Sequence, residues 1–308
     1  MSQTKFYSDI DSMWTDALEN VLASGTAHDS DKGVTQHLYG HCMRLRAGEQ
    51  RTLLCNPRRA ISPHYAAAET LWYMGGMSGV DWLCRYAPQY SRFADPDGTA
   101  YGAYGPRVVP QLGQALSLLS ADSETRQCVV AVWRPDDLQM AGKTPDMPCT
   151  LYWQFVISND KLHMLVTMRS NDLWLGTPYD VFAFTCFQRL MADELSIDVG
   201  DYYHYVGDLH VYERNWQAAS EAADVKMESH AHSWATPAGV DWAEAVSDAV
   251  EGVDDRAHLI EHDDTLGCML YDLSIACGNQ SRAQCDRLGY VSGAFNYVER
   301  NYANRRGS

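Results

Sequence analysis

The chain has 308 residues, 46% of them hydrophobic, and a formal net charge of −16, which suits one large domain or a domain with an appendage. An acidic balance of this size repels nucleic acid and anionic membranes and leaves no basic tract for a polyanion, although a few local arginines could still hold a small anion. No apolar run approaches the roughly 20 residues of a membrane span, and the polar start MSQTKFYSDIDSMW does not read as a secretory signal.

Residues 6–24 place Ile10, Met13, Trp14, Leu18, Val21 and Leu22 on one helical face that ends near Gly25. Residues 33–46 alternate like a strand. HYAAAETLWYMGGM (64–77) reads as a buried helix stopped by Gly75-Gly76, with Glu69 embedded in it. Segment 90–107, rich in Gly, Pro and Asp, reads as a loop, and 110–120 as an amphipathic helix. Strands are predicted at 127–133, 150–158 and 161–170, the last two joined by Asn159-Asp160 as a hairpin turn. A helix over 179–195 buries Phe182, Cys186, Leu190 and Met191, and 202–212 forms a further strand. From about 236 the chain turns acidic and helical. The expected organisation is a main domain over 1–234 with 235–308 as a helical extension packed on it.

Nine cysteines, scattered without a CxxC pair, argue against a disulfide framework or structural zinc and fit a reducing cytoplasm. Most should be small buried apolar groups. Cys149, just after Pro148 and before a strand, reads either as such a filler or as a thiolate nucleophile. The second reading needs cations, with Arg169 and Arg126 as candidates, to lower its pKa. Glu69 in an apolar helix is either a buried salt-bridge partner or a general acid–base group of raised pKa. Arg169-Ser170 is a surface pair or a phosphate ligand. His210 and Tyr212 alternate on one strand face, as core residues or as partners of a sugar hydroxyl. Asp180, between Tyr179 and an apolar run, needs a cap or a ligand to justify its burial.

In chain order LYGHCMR (38–44), AETLWYMGG (68–76), ADPDGTAYGAYG (94–105), MPCTLYWQF (147–155), RSNDLWLGTPYDV (169–181) and VGDLHVYERN (206–215) together resemble the thymidylate synthase family. The resemblance spans about residues 6–215. It implies an α/β (α+β) fold of three layers on a curved mixed sheet, an obligate homodimer sharing an arginine across its active sites, and 5,10-methylenetetrahydrofolate as co-substrate without a metal. Carried over, Cys149 is the nucleophile that adds to pyrimidine C6, and Glu69 organises water and shuttles protons. Arg169 and Ser170 bind phosphate, and Arg126 is the arginine given to the partner. Asp172 contacts the folate, Gln154 and Gly176 surround the pyrimidine and folate, and His210 with Tyr212 holds the sugar 3′-hydroxyl. Arg59 stands where the family uses a lysine for the folate tail, and Tyr179 is taken as a further folate-binding residue.

Two departures from the family pattern point to a particular reaction, and two more leave the phosphate site less cationic. Asp180 stands where the synthases have an asparagine that reads uracil. A carboxyl sharing one proton can donate to cytosine N3 and accept from its 4-amino group, and when ionised it rejects uracil. Tyr90 and Phe93 replace two tryptophans and the chain ends without the family's apolar tail, so water could reach the exocyclic methylene. Ser30 and Gln127 replace phosphate arginines, with Lys32 as a neighbouring substitute. The resemblance is thus to the deoxycytidylate (dCMP or CMP) 5-hydroxymethylases that certain viruses use to modify DNA. Methylation of dCMP, action on CMP, and a catalytically silent nucleotide- or RNA-binding protein remain open, the charge disfavouring RNA.

Overall fold

The computed structural model describes residues 5–29, 32–47 and 52–225. The extension expected over 235–308, and Ser30, therefore lie outside the described residues.

Helix α1 (Ile10–Ser24) begins where Asp9, in extended conformation, accepts the Ser12 amide, an N-cap that satisfies one orphan donor. It buries Met13, Trp14, Leu18 and Val21, as its periodicity predicts. Strands β1 (Thr26–His28) and β2 (Thr35–Leu45) follow. Helix α2 (Pro63–Met74) is capped by Ser62, whose hydroxyl accepts the Tyr65 amide at 3.2 Å. After α3 (Asp81–Cys84) and a 3-10 turn over Pro88–Phe93 come α4 (Gly105–Ala121), β3 (Val129–Ala131) and α5 (Asp137–Met140). The remaining elements are β4 (Thr150–Ser158), β5 (Lys161–Met168), β6 (Asn171–Asp172), α6 (Thr177–Glu194), β7 (Asp198–Tyr212) and α7 (Trp216–Ala223).

The strands form one mixed sheet in the order β1-β2-β7-β5-β4-β3, with β6 also beside β7. Strands β5 and β6 run parallel to β7 and the other pairs are antiparallel. The β4–β5 turn holds Asn159 at φ 52° and Asp160 at φ 56°, the left-handed pair that a two-residue hairpin requires.

Several boundaries differ from expectation, among them the strand read over 127–133, which is confined to Val129–Ala131. The segment read as a loop over 90–107 contains the end of the 3-10 turn and the first turn of α4. Pro106 suits that first turn because its missing N–H is not needed there. Pro110 cannot bond back to the Pro106 carbonyl, which instead accepts from Arg134 at 3.3 Å. Strand β7 starts at Asp198 rather than 202 because its first residues pair with β5, Asp198 opposite Lys161.

The core lies between the sheet and α6. Trp153 of β4 packs its ring 5.1 Å from Phe184 and 5.0 Å from Phe187, and Phe155, Met164, Val166 and Tyr202 are fully buried beside them. Each such side chain contributes roughly 1.5–3 kcal/mol. Helix α2 packs on α6, which brings the middle of α2 and the start of α6 to the ends of β5 and β7.

Candidate active site

At that junction the chain opens a cleft of about 980 Å³. Every candidate catalytic or binding residue read from the sequence lines it except Arg126 and Gln154. The side chains come from separate places: Glu69 from α2, Tyr90 and Phe93 from the 3-10 turn, Cys149 from the entry to β4. Arg169, Ser170 and Asp172 come from the exit of β5 and β6, Gly176, Tyr179 and Asp180 from the start of α6, and His210 and Tyr212 from the end of β7. Lys32 and Arg59 complete the rim.

Arg169 and Cys149 are joined through backbone and side chain. The Arg169 amide donates to the Cys149 carbonyl at 2.8 Å. The guanidinium donates to the carbonyls of Pro148 (2.9 Å) and Met147 (3.3 Å), and one nitrogen lies 3.7 Å from the Cys149 sulfur. Burial nevertheless pushes the thiol above its ordinary range, Arg169 pulls it down, and Asp180 and Asp146 push it up again. Of the two candidate arginines, only Arg169 stands beside this thiol within the chain. Arg126 lies outside the cleft, in a surface depression with Asp122, Glu124, Thr125 and Gln127.

Gln154 is a correction to expectation. It alternates on β4 with the buried Trp153 and Phe155, so it faces away from the cleft, and its amide donates to the Arg126 carbonyl at 3.2 Å. The same alternation was visible in the sequence and outweighs the assignment to a pyrimidine pocket.

Two carboxyls on the cleft floor hold their protons unusually well. Glu69 accepts from the Tyr65 hydroxyl at 2.7 Å. Its burial and then the charge of Asp180 raise its pKa to about 8, against the hydrogen bonds of Tyr65 and Tyr73. Asp180 is raised to about 7, by burial first and by Asp172, against the amide of Asn171, whose nitrogen donates to it at 2.8 Å. Such groups change protonation near neutrality, as proton transfer requires.

The walls are aromatic and cationic. Tyr90 packs 5.1 Å from Phe93, and Tyr65 stands edge-on to Tyr179 at 4.9 Å. The Tyr179 hydroxyl accepts the Ser62 amide at 3.0 Å. Arg59 donates to the Trp174 carbonyl at 2.8 Å and lies over the Trp174 and Tyr179 rings. One Asp172 oxygen takes the amides of Trp174 and Leu175, each at 2.9 Å. Ser170 meets His210 at 3.4 Å. Sequence reasoning missed Arg92 and Arg214, which also line the cleft, the latter over the Tyr212 ring at 4.0 Å. Both sit in 3-10 turns that no periodicity marks. It also passed over Asn171, although the polar run Arg169–Asp172 contains it.

His37, Asp208 and His210 bring potential ligand atoms within 4.8 Å of one another among the described residues. Both His37 ring nitrogens are already bonded, to Asp208 and to Thr35 at 2.5 Å each, which suits a brace behind His210 better than an ion.

The family model described as thymidylate synthase matches residues 12–235. Over 224 residues the chain is 27% identical to a thymidylate synthase of Corynebacterium aurimucosum, covering 69% of this chain and 82% of that protein. The structure is similar to the thermostable thymidylate synthase A from Bacillus subtilis, with a TM-score of 0.62 and 23% identity over 72% of this chain and 86% of that one, a likeness of fold. The chain belongs to the thymidylate synthase family.

Proposed function

We propose that the protein transfers a one-carbon unit from 5,10-methylenetetrahydrofolate to C5 of dCMP and captures it with water, forming 5-hydroxymethyl-dCMP and tetrahydrofolate. The observation that carries this reading is Asp180, a carboxyl of near-neutral pKa in the same cleft as Cys149. A carboxyl there can share one proton with cytosine N3 and accept from the 4-amino group, whereas an ionised one repels the uracil carbonyl.

Cys149 loses its proton and its sulfur bonds to C6, which makes C5 electron-rich. The proton on Asp180 offsets the charge that builds on the ring. The folate supplies the carbon unit, and Tyr90, Phe93, Tyr179, Asp172 and Arg59 offer the stacking faces, carboxylate and cation that a pterin with an anionic tail needs. Once C5 has bonded to the new carbon it gives up its own proton, and the bond from that carbon to the folate nitrogen breaks. Its electron pair leaves on tetrahydrofolate, so an exocyclic methylene is left on C5. The ionised fraction of Glu69, whose pKa is about 8, takes a proton from the water that adds to the exocyclic carbon, and the electron pair this places on C5 expels the sulfur from C6 as thiolate. Lys32, Arg169, Ser170, His210 and Tyr212 hold phosphate and sugar.

The active form in this reading is a homodimer in the cytoplasm. Exposed Arg126 lies outside its own cleft, as a residue given to a partner would. Tyr152 and Tyr205, 37% and 43% exposed, fall in one register row with Thr167 across β4, β5 and β7, an aromatic row on the open sheet face.

The name of the relatives favours a second reading, methylation of dUMP, and Asp180 is the residue that opposes it. Tritium release from C5-tritiated nucleotides separates the two. Release from dCMP faster than from dUMP, abolished by Cys149→Ser, supports the proposal; release from dUMP alone overturns it.

A further inference from the structure

Behind Asp180 runs a buried chain of hydrogen bonds. Asn171 donates from Nδ2 to Asp180 Oδ2 at 2.8 Å. Its Oδ1 meets the Thr177 hydroxyl at 2.6 Å and His204 Nε2 at 3.0 Å. His204 Nδ1 in turn meets the Tyr202 hydroxyl at 2.7 Å. Asn171, Thr177, His204 and Tyr202 are all buried, and burial drives the His204 pKa down to about 3, so its imidazole is neutral.

The direction of every bond follows from these facts. An amide oxygen only accepts, so Thr177 and His204 Nε2 must both donate to Asn171 Oδ1. A neutral imidazole that donates from Nε2 accepts at Nδ1, so the Tyr202 hydroxyl donates to it. With Oδ1 taken twice, the Asn171 amide cannot turn, and its N–H points permanently at Asp180 Oδ2. Gly176 leaves the room for this: a Cβ there would lie 3.1 Å from Asn171 Nδ2 and 3.3 Å from Asp180 Oδ2.

We propose that Asn171 is a positioning residue that locks the polarity of Asp180, holding Oδ2 as the acceptor and leaving Oδ1 to carry the proton. This rests on the cytosine reading given above and deepens it. A carboxyl so fixed offers one donor and one acceptor in a set order, the complement of cytosine N3 and its amino group. An unfixed carboxyl would place the proton on either oxygen and present the wrong order part of the time.

The test is Asn171→Ala with Tyr202→Phe, which keeps its ring and loses only the hydroxyl. Two quantities are read: the dCMP-to-dUMP ratio of kcat/KM, and the titration midpoint of the Asp180 carboxyl by carbon NMR in the ligand-free protein. The titratable groups that face Asp180 are Glu69 and Tyr73 of α2, Asp172 at β6, Cys149 before β4, Tyr90, Tyr104 and Tyr202. None of them is altered in Asn171→Ala.

Losing the N–H donor should lower the ratio about ten- to a hundredfold and move the midpoint to higher pH, since the donor favours the charged form. Tyr202→Phe should move both the same way by less. A folded Asn171→Ala protein with the wild-type ratio and midpoint overturns the proposal. Should that variant not fold, unchanged values in Tyr202→Phe overturn it instead. If the wild type turns over dUMP and not dCMP, the cytosine reading falls, while the ligand-free midpoint still decides whether Asn171 sets the carboxyl.

Discussion

The Arg169 guanidinium stands 3.7 Å from the Cys149 sulfur while its Nε grips the Pro148 carbonyl at 2.9 Å. The same side chain therefore shapes the loop that carries the nucleophile and supplies the positive charge beside it. Lysine would keep the charge and lose the planar fork. Arg169→Lys should raise the Cys149 pKa further and slow alkylation by iodoacetamide at neutral pH by about three- to tenfold. An unchanged or faster rate would show that the guanidinium does not act on the sulfur.

Glu69 predicts a pH dependence of stability. Its folded pKa is about 8 against an ordinary 4.5, so between those values the folded chain holds a proton that the unfolded chain releases. The stabilisation is fully present below about pH 4.5 and is lost as pH rises through 8. Asp180, at about 7 against 3.8, adds the same sign over a lower window. The thermal midpoint of the ligand-free protein should fall between pH 5 and 8, and Glu69→Gln should flatten that fall. Equal slopes in the two proteins would refute the assignment.

Beneath the cleft Arg107 and Asp137 form a buried ion pair at 2.6 Å, with Tyr101 donating to the same carboxylate at 2.9 Å. Arg107 also holds the carbonyls of Val132 and Tyr101, and so braces the loop leading to Tyr104, whose hydroxyl accepts the Thr150 amide next to Cys149. Asp137→Ala leaves a guanidinium buried without its counter-charge and should cost about 3–5 kcal/mol in urea unfolding, while the double replacement Arg107→Met with Asp137→Leu should recover much of it. A single variant as stable as wild type would mean that water reaches Arg107.

Much of this was legible in the sequence because it is carried by local pattern. The apolar spacing of α1, the Asn-Asp turn between β4 and β5, and the order of the polar motifs suffice to place those elements and to bring Glu69, Cys149, Arg169 and Asp180 into one cleft. What escaped is set by tertiary packing. The thiol of Cys149 rises because the cleft buries it, which no neighbour in sequence reveals. Arg92 and Arg214 reach the cleft from short turns, and Asn171 gains its meaning only from His204, which lies 33 residues away. Gln154 was misplaced for the opposite reason: a motif-based assignment overrode a strand alternation that already pointed it outward.

The central claim is that Asp180 selects cytosine and that water completes the reaction. Incubating the protein with dCMP, dUMP and 5,10-methylenetetrahydrofolate in water enriched in heavy oxygen, and weighing the products, tests both parts at once. The account predicts hydroxymethyl-dCMP carrying one heavy oxygen, with tetrahydrofolate released and dUMP left nearly untouched, and a shift toward dUMP in Asp180→Asn. Methylated nucleotide accompanied by dihydrofolate, or turnover of dUMP with dCMP unchanged, would contradict it.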